Sequence, residues 1–329
     1  MFKLYICVML VDDVPQAYSI SGRGVLKVII GDNSDSGARK PSKVVVVGNL
    51  TGHSDNQLTS IDISKCTKLT TLDITNNLLT AIDITKNQAL QTLRIGLNKF
   101  AGELDLSTNP TIKSVYAQIN ELTAVKIGNN TASKPTFSFN ENKLTSFDAT
   151  GIEDAANAIL FLIGNQLTEI KLPSTKMKTL NILKNNFTLA TLPAPTVAKT
   201  FNYAPLNNYV IAESYKVGDV LDLSSQTSAT LNTQFAVYKS DKTALTEGTD
   251  YTVADGKITF LTAQEAVYVT MSSALYSKFT GTSIYKTTVT KVEGSTGINA
   301  ITAHGVKVST AGSFFLETAS VQIPMPRAD

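Results

Sequence analysis

The chain has 329 residues, room for about two domains at roughly 150 residues each. Its formal net charge of +2, with 29 basic against 27 acidic side chains, gives no electrostatic reason to expect nucleic acid or an anionic membrane as partner. No run approaches the roughly 18–20 apolar residues of a membrane-spanning helix, and two cysteines, Cys7 and Cys66, are too few for a disulfide framework or a closed zinc site.

In chain order, the opening "MFKLYICVMLVDDVPQA" carries one lysine and a short apolar run, the ingredients of a secretory signal. Asp12, Asp13 and Pro15 interrupt it, and an apolar first strand is the better reading. "GVLKVIIGDN" (24–33) and "SKVVVVGNLTG" (42–52) read as strands bounded by turns, within a β cap expected over residues 1–57. Between them "GDNSDSG" (31–37) is rich in side-chain oxygens. Counted from Asp32 as an EF-hand loop, however, its twelfth position is Lys43 instead of an acid, so it reads as a polar turn.

From residue 58 the chain repeats two phrases with a combined period of about 20–23 residues. The first runs "LTTLDITNN" (69–77), "LQTLRIGLN" (90–98), "IKSVYAQIN" (112–120), "KPTFSFNEN" (134–142), "AILFLIGN" (158–165) and "MKTLNILKN" (177–185). Each copy closes on an asparagine: Asn77, Asn98, Asn120, Asn142, Asn165 and Asn185. The apolar pair ahead of it (Leu72/Ile74, Leu93/Ile95 and so on) has the period of a short strand, and the asparagine amide can satisfy backbone groups where the chain bends away. The second phrase, from "LTSIDISKC" (58–66) to "LTEIKLPST" (167–175), alternates too, so both sides of each coil are expected to be extended. Cys66 stands where later copies carry Asn87, Asn109 and Asn130, which makes it a buried turn residue.

This spelling, L-x-x-L-x-L-x-x-N, resembles the short leucine-rich repeats of bacterial surface proteins, the internalin-like group and the secreted repeat proteins of Bacteroidetes. The resemblance implies a mainly β fold over 58–193: a solenoid of short parallel strands whose first-phrase strands line a concave face.

Two prolines in "ATLPAPTVAK" (190–199) end the pattern. Strand-like segments at 219–225, 233–240, 249–261, 266–273 and 283–292 follow, with Asp255-Gly256 as a hairpin signal, and they predict a β-sandwich over 207–293. "EGTDYTVADGKITFL" resembles the immunoglobulin-like module that follows such repeats. The tail from 294, including "GINAITAHGVKVSTAGSFFLETAS", resembles the start of a C-terminal sorting segment without its expected closing strands, and reads either as an incomplete sorting segment or as a final β-strand pair.

Catalytic and metal-binding groups are sparse. His53 and His304 are isolated, and H-E-x-x-H, G-x-S-x-G and P-loop patterns are missing from the sequence. Neither a cofactor nor a metal is expected. Asp62, Asp83, Asp105 and Asp148 recur in the second phrase, but Lys126 and Lys171 interrupt the row, as suits a solvated face. The first phrase differs: its framework repeats while its outward positions do not. The middle row reads Asp73, Arg94, Tyr116, Ser138, Phe161 and Asn181, and two residues later come Thr75, Gly96, Gln118, Asn140, Ile163 and Leu183. Asp73, Arg94, Tyr116, Gln118, Ser138, Asn140, Phe161 and Asn181 are therefore the candidate ligand-binding residues, because repeat scaffolds bind through such extended surfaces. Phe161, with Ile159 and Ile163, serves either a ligand or packing beneath the next domain. The expected function is non-catalytic recognition by a monomeric secreted or surface-attached bacterial protein, adhesin-like, with a protein or glycan partner. The alternatives are a targeting platform for a carbohydrate-active or hydrolytic system and a ligand-free envelope spacer.

Overall fold

The computed structural model describes residues 59–294 apart from 60 and 65, together with strand backbone at 4–5, 18–20, 26–31, 43–47, 307–308 and 314–315. The readings placed on the amino-terminal leader, the 31–37 turn, His53, His304 and most of the tail lie outside the described residues. Two compact units emerge: residues 1–209 with 228–232 and 272–285, and residues 210–227, 233–271 and 286–329.

The first unit is a parallel β-solenoid. Its main sheet has ten strands, of which Lys43–Val47, Thr71–Asp73, Thr92–Arg94, Ser114–Tyr116, Thr136–Ser138, Ile159–Phe161, Met177–Asn181 and Ala198–Asn202 follow one another in parallel. Two antiparallel strands, Leu26–Gly31 and Tyr18–Ile20, extend it at the amino-terminal side. The register is set by the apolar middle residue of each strand. Leu72, Leu93, Val115, Phe137, Leu160, Leu180 and Phe201 are cross-strand partners, and all are buried. Ile74, Ile95, Ala117, Phe139, Leu162 and Ile182, one step beyond the strands, fill the next layer of the same core. A slip of one residue would turn these side chains to water, so the alternation itself fixes the pairing.

The turn out of each strand has a conformation that the letters do not spell. The residue before each asparagine (Asn76, Leu97, Ile119, Glu141, Gly164 and Lys184) has φ between 53° and 69°, in the left-handed region. That twist swings the asparagine side chain inward, where all six are buried. Asn120 shows the pattern. Its Nδ2 donates to the carbonyls of Ala117 in its own coil (3.1 Å) and Ile95 in the preceding one (3.0 Å), while its Oδ1 accepts from Phe100 N–H (3.1 Å). Asn98, Asn142, Asn165 and Asn185 make the equivalent bonds, so the amides join neighbouring coils as well as closing single turns.

The second-phrase side is extended as expected, and no α-helix occurs among the described residues. Its pairing is discontinuous: Glu121–Lys126 lies parallel to Ala101–Asp105, and Ser146–Asp148 parallel to Glu169–Lys171. A shorter amide ladder runs inside it. Asn87 Nδ2 donates to Ile63 and Cys66 carbonyls, Asn109 to Ile84 and Asn87, and Asn130 to Ile112. Cys66 is buried at the foot of this ladder, in the role its alignment assigned.

The last coil carries an aromatic cluster. Residues 272–285, which the sequence places with the sandwich, pack within the first unit. Tyr203 contacts Phe201, Tyr276 and Phe279 at centroid distances of 5.1, 5.5 and 5.3 Å. The hydroxyls of Tyr276 and Tyr285 donate to the Leu192 and Phe187 carbonyls. A coil at the end of a stack has no successor to cover it, and these rings supply the cover.

The second unit contains a four-stranded sheet ordered Ser214–Lys216, Thr290–Glu293, Gln264–Ser272 and Gln234–Lys239, and a three-stranded one ordered Val220–Asp222, Lys257–Phe260 and Tyr251–Ala254. Asp255 and Gly256 form the expected hairpin turn, with φ of 50° and 74° as a type I′ turn requires. Tyr215 of one sheet meets Phe260 of the other, 5.7 Å between centroids.

Candidate functional site

Because the sheet is parallel and in register, residues about twenty apart in sequence become neighbours. Asp73, Arg94, Tyr116, Ser138, Phe161, Asn181 and Asn202 form one cross-strand row, with about 4.8 Å between strands. The candidate middle-row residues therefore do lie side by side, and Asn202 extends the row by one rung. Beside it runs a second row that the sequence reading did not single out: Thr71, Thr92, Ser114, Thr136, Ile159, Thr179 and Thr200. Its signal was present, since hydroxyl residues stand two positions before the variable residue in all copies but one.

Three residues of the main row hold one another. Asp73 Oδ1 accepts from the Thr75 hydroxyl (2.8 Å) and N–H (3.2 Å), which fixes the carboxylate. Its Oδ2 lies 3.9 Å from Arg94 Nη1, too far for a hydrogen bond but close enough to orient the guanidinium. The Arg94 Cζ sits 5.4 Å from the Tyr116 ring centroid, over its face. The Arg94 side chain keeps 45% of its surface accessible, against 17% for Asp73.

The other candidates divide by depth. Tyr116, Gln118, Asn140 and Phe161 are half-buried. Ser138 and Asn181, expected to face outward as contacts, are recessed, with 7% and 8% accessibility. Ser138 is small and stands between the rungs of Tyr116 and Phe161, and the Asn181 Oδ1 accepts from Leu183 N–H (3.3 Å). Gln118 leans over the preceding coil, where a Cβ on Gly96 would come within 2.9 Å of its Cδ; glycine at 96 makes that room. Asn140 reaches the other way, its Oδ1 accepting from Ile163 N–H (2.8 Å).

The aspartates of the second phrase do a different job. Asp83 and Asp148 each accept from the hydroxyl and N–H of the threonine two residues on, at 2.7 and 2.9 Å for Thr85 and 2.6 and 2.9 Å for Thr150. Asp105 accepts from Ser107 N–H (2.8 Å) and pairs with Lys126 Nζ (3.1 Å). The hydroxyls of Thr85, Ser107 and Thr150 are the main cause holding these three carboxyls below their ordinary range, helped by the N–H groups. The D-x-T and D-x-S spellings thus fasten turns.

No protein family profile matches the chain, and no curated protein matches it. Among solved structures, the functional domain of InlJ from Listeria monocytogenes, described as including a cysteine ladder, is similar over 72% of this chain and 67% of that one, with 16% identity and a TM-score of 0.26.

Proposed function

We propose that this chain is a non-catalytic recognition protein of the bacterial surface or secreted fraction, adhesin-like and monomeric, whose ligand lies on the outward face of the ten-stranded sheet. On this reading the second unit is an immunoglobulin-like β-sandwich. The supporting observation is the Asp73–Arg94–Tyr116 arrangement: a half-exposed guanidinium braced by a carboxylate on one side and a ring on the other. Tyrosine and arginine are the residue types that most often dominate binding energy, and bracing lowers the entropy lost when they engage a partner.

A glycan and protein array probed with the intact chain supplies the partner. Arg94→Ala with Tyr116→Ala is then expected to weaken binding more than tenfold, about 1.4 kcal/mol or more, while Asp83→Ala with Asp105→Ala leaves affinity unchanged. The reverse pattern would place the ligand on the other side of the coil.

A further inference from the structure

The outward residues of the sheet vary from coil to coil until its last two strands, which repeat each other. Met177–Asn181 reads MKTLN and Ala198–Asn202 reads AKTFN. They run parallel and in register, so Thr179 pairs with Thr200 and Asn181 with Asn202. Lys178 and Lys199 stand at matching positions between the 177/198 and 179/200 rungs, and both are exposed. Adjacent strands lie about 4.8 Å apart, so the two long side chains share one stretch of surface. Charge here is one-sided. Between Glu169 and Glu213 the chain carries Lys171, Lys176, Lys178, Lys184 and Lys199 and no acidic residue. Residues 272–285, which pack within the same unit, add Lys278 and again no acid. At two earlier places a lysine meets an acid on the neighbouring coil, Lys126 with Asp105 and Lys143 with Glu121. Among the described residues no ion pair holds Lys176, Lys178, Lys184 or Lys199. Like charges side by side on neighbouring strands repel, and the fold supplies no counter-charge.

We propose that these two strands form a second binding site, for the sulfate esters of a sulfated glycan. The site lies four rungs from Arg94, about 19 Å along the sheet, and does not need the Arg94 arrangement. The groups on offer are mainly donors. Each ammonium gives three N–H bonds from a flexible stem, so Lys178 and Lys199 can converge on one anion. Asn202 Oδ1 accepts from Lys278 Nζ (3.3 Å) and Asn181 Oδ1 from Leu183 N–H (3.3 Å), so each amide has N–H to give. A sulfate monoester has three terminal oxygens and no proton, enough to accept from both ammoniums and a threonine hydroxyl at once. A phosphodiester has only two. A carboxylate is better matched by the planar fork of arginine, and no arginine lies in this stretch. Beside the buried core residues, both strands carry only lysine, threonine and asparagine. They lack the rings that stack nucleic-acid bases and the aromatic anchors that dominate protein interfaces. Threonine hydroxyls donate and accept, as sugar hydroxyls do.

The test is calorimetric titration of the intact chain with dextran sulfate, unsulfated dextran, polygalacturonate, polyphosphate and phosphatidylglycerol vesicles. Dextran sulfate should bind, dextran should not, and the other three should bind more weakly by about tenfold. Lys178→Gln with Lys199→Gln should weaken dextran sulfate by about tenfold or more. Lys126→Gln with Lys143→Gln removes the same charge from the ion-paired side of the coils and should change affinity by less than about twofold. Thr179→Val with Thr200→Val keeps charge and shape and should still weaken binding by about threefold. Failure of dextran sulfate to bind, equal or tighter binding of polygalacturonate, polyphosphate or the vesicles, equal losses from the two lysine pairs, or indifference to the threonine pair overturns the proposal. Arg94→Ala with Tyr116→Ala should leave dextran sulfate binding intact. Loss there would put the sulfate at the Arg94 arrangement and overturn the second site. The recognition reading is judged by its own array partner, so either can fail without the other.

Discussion

Replacing Asn120 by alanine tests the inter-coil amide ladder. Most of what the side chain touches has a second partner: Ile95 carbonyl also accepts from Asn98, and Ala117 carbonyl also accepts from Asn142. The two carbonyls therefore keep one bond each. Phe100 N–H is different, since its bond runs to Asn120 Oδ1 in a buried site. A stranded buried donor costs about 1–3 kcal/mol, and the carbonyls add little, so a loss of about 2 kcal/mol is expected. Urea denaturation followed by circular dichroism measures it, and hydrogen exchange locates it: the Phe100 amide should lose protection more than amides three coils away. Asn120→Asp gives a sharper contrast. It preserves the acceptor for Phe100 but aims a carboxylate at two carbonyls, raising that group's pKa in the folded state. The raised pKa makes the folded state hold its proton more tightly, so this variant should gain stability as pH falls, fully so below the unfolded value near 3.9. An unchanged denaturation midpoint in Asn120→Ala, with Phe100 still protected, would refute the reasoning.

Ile119→Asn should stabilise the first unit by about 0.5–1 kcal/mol, because asparagine tolerates the left-handed region that a branched residue resists; a lower denaturation midpoint would contradict this. The lowered carboxyls of Asp83, Asp105 and Asp148 contribute stability that is present above the unfolded pKa near 3.9 and lost as pH falls through their folded values. Thr85→Val with Thr150→Val should accordingly flatten the acid limb of a stability–pH curve, and an unaltered limb would show that the turns do not depend on these bonds. Tyr276→Ala, which removes a ring from the terminal cluster and a hydroxyl from the Leu192 carbonyl, should cost about 3 kcal/mol. Its exchange signature should concentrate at 187–203, and an effect spread evenly over the coils would argue against a capping role.

Much of this was legible in the letters because the information is local. Alternating apolar residues set each strand's inward face, a recurring asparagine marked each exit, and copying at a fixed period dictated parallel stacking in register. Asp255-Gly256 announced its hairpin for the same reason: a two-residue turn needs only its own backbone preferences. The left-handed residue before each asparagine was hidden, because Asn76, Leu97, Ile119, Glu141, Gly164 and Lys184 share no chemistry; the inward pull on the amide imposes the conformation on whatever stands there. Ser138 could be assigned to the outward row by counting, but its recess depends on Tyr116 and Phe161, each more than twenty residues away. Residues 272–285 carry no repeat spelling at all. Their aromatic rings close the last coil only because that coil lacks a neighbour, and an end of a stack is a property of the folded object with no periodicity to announce it.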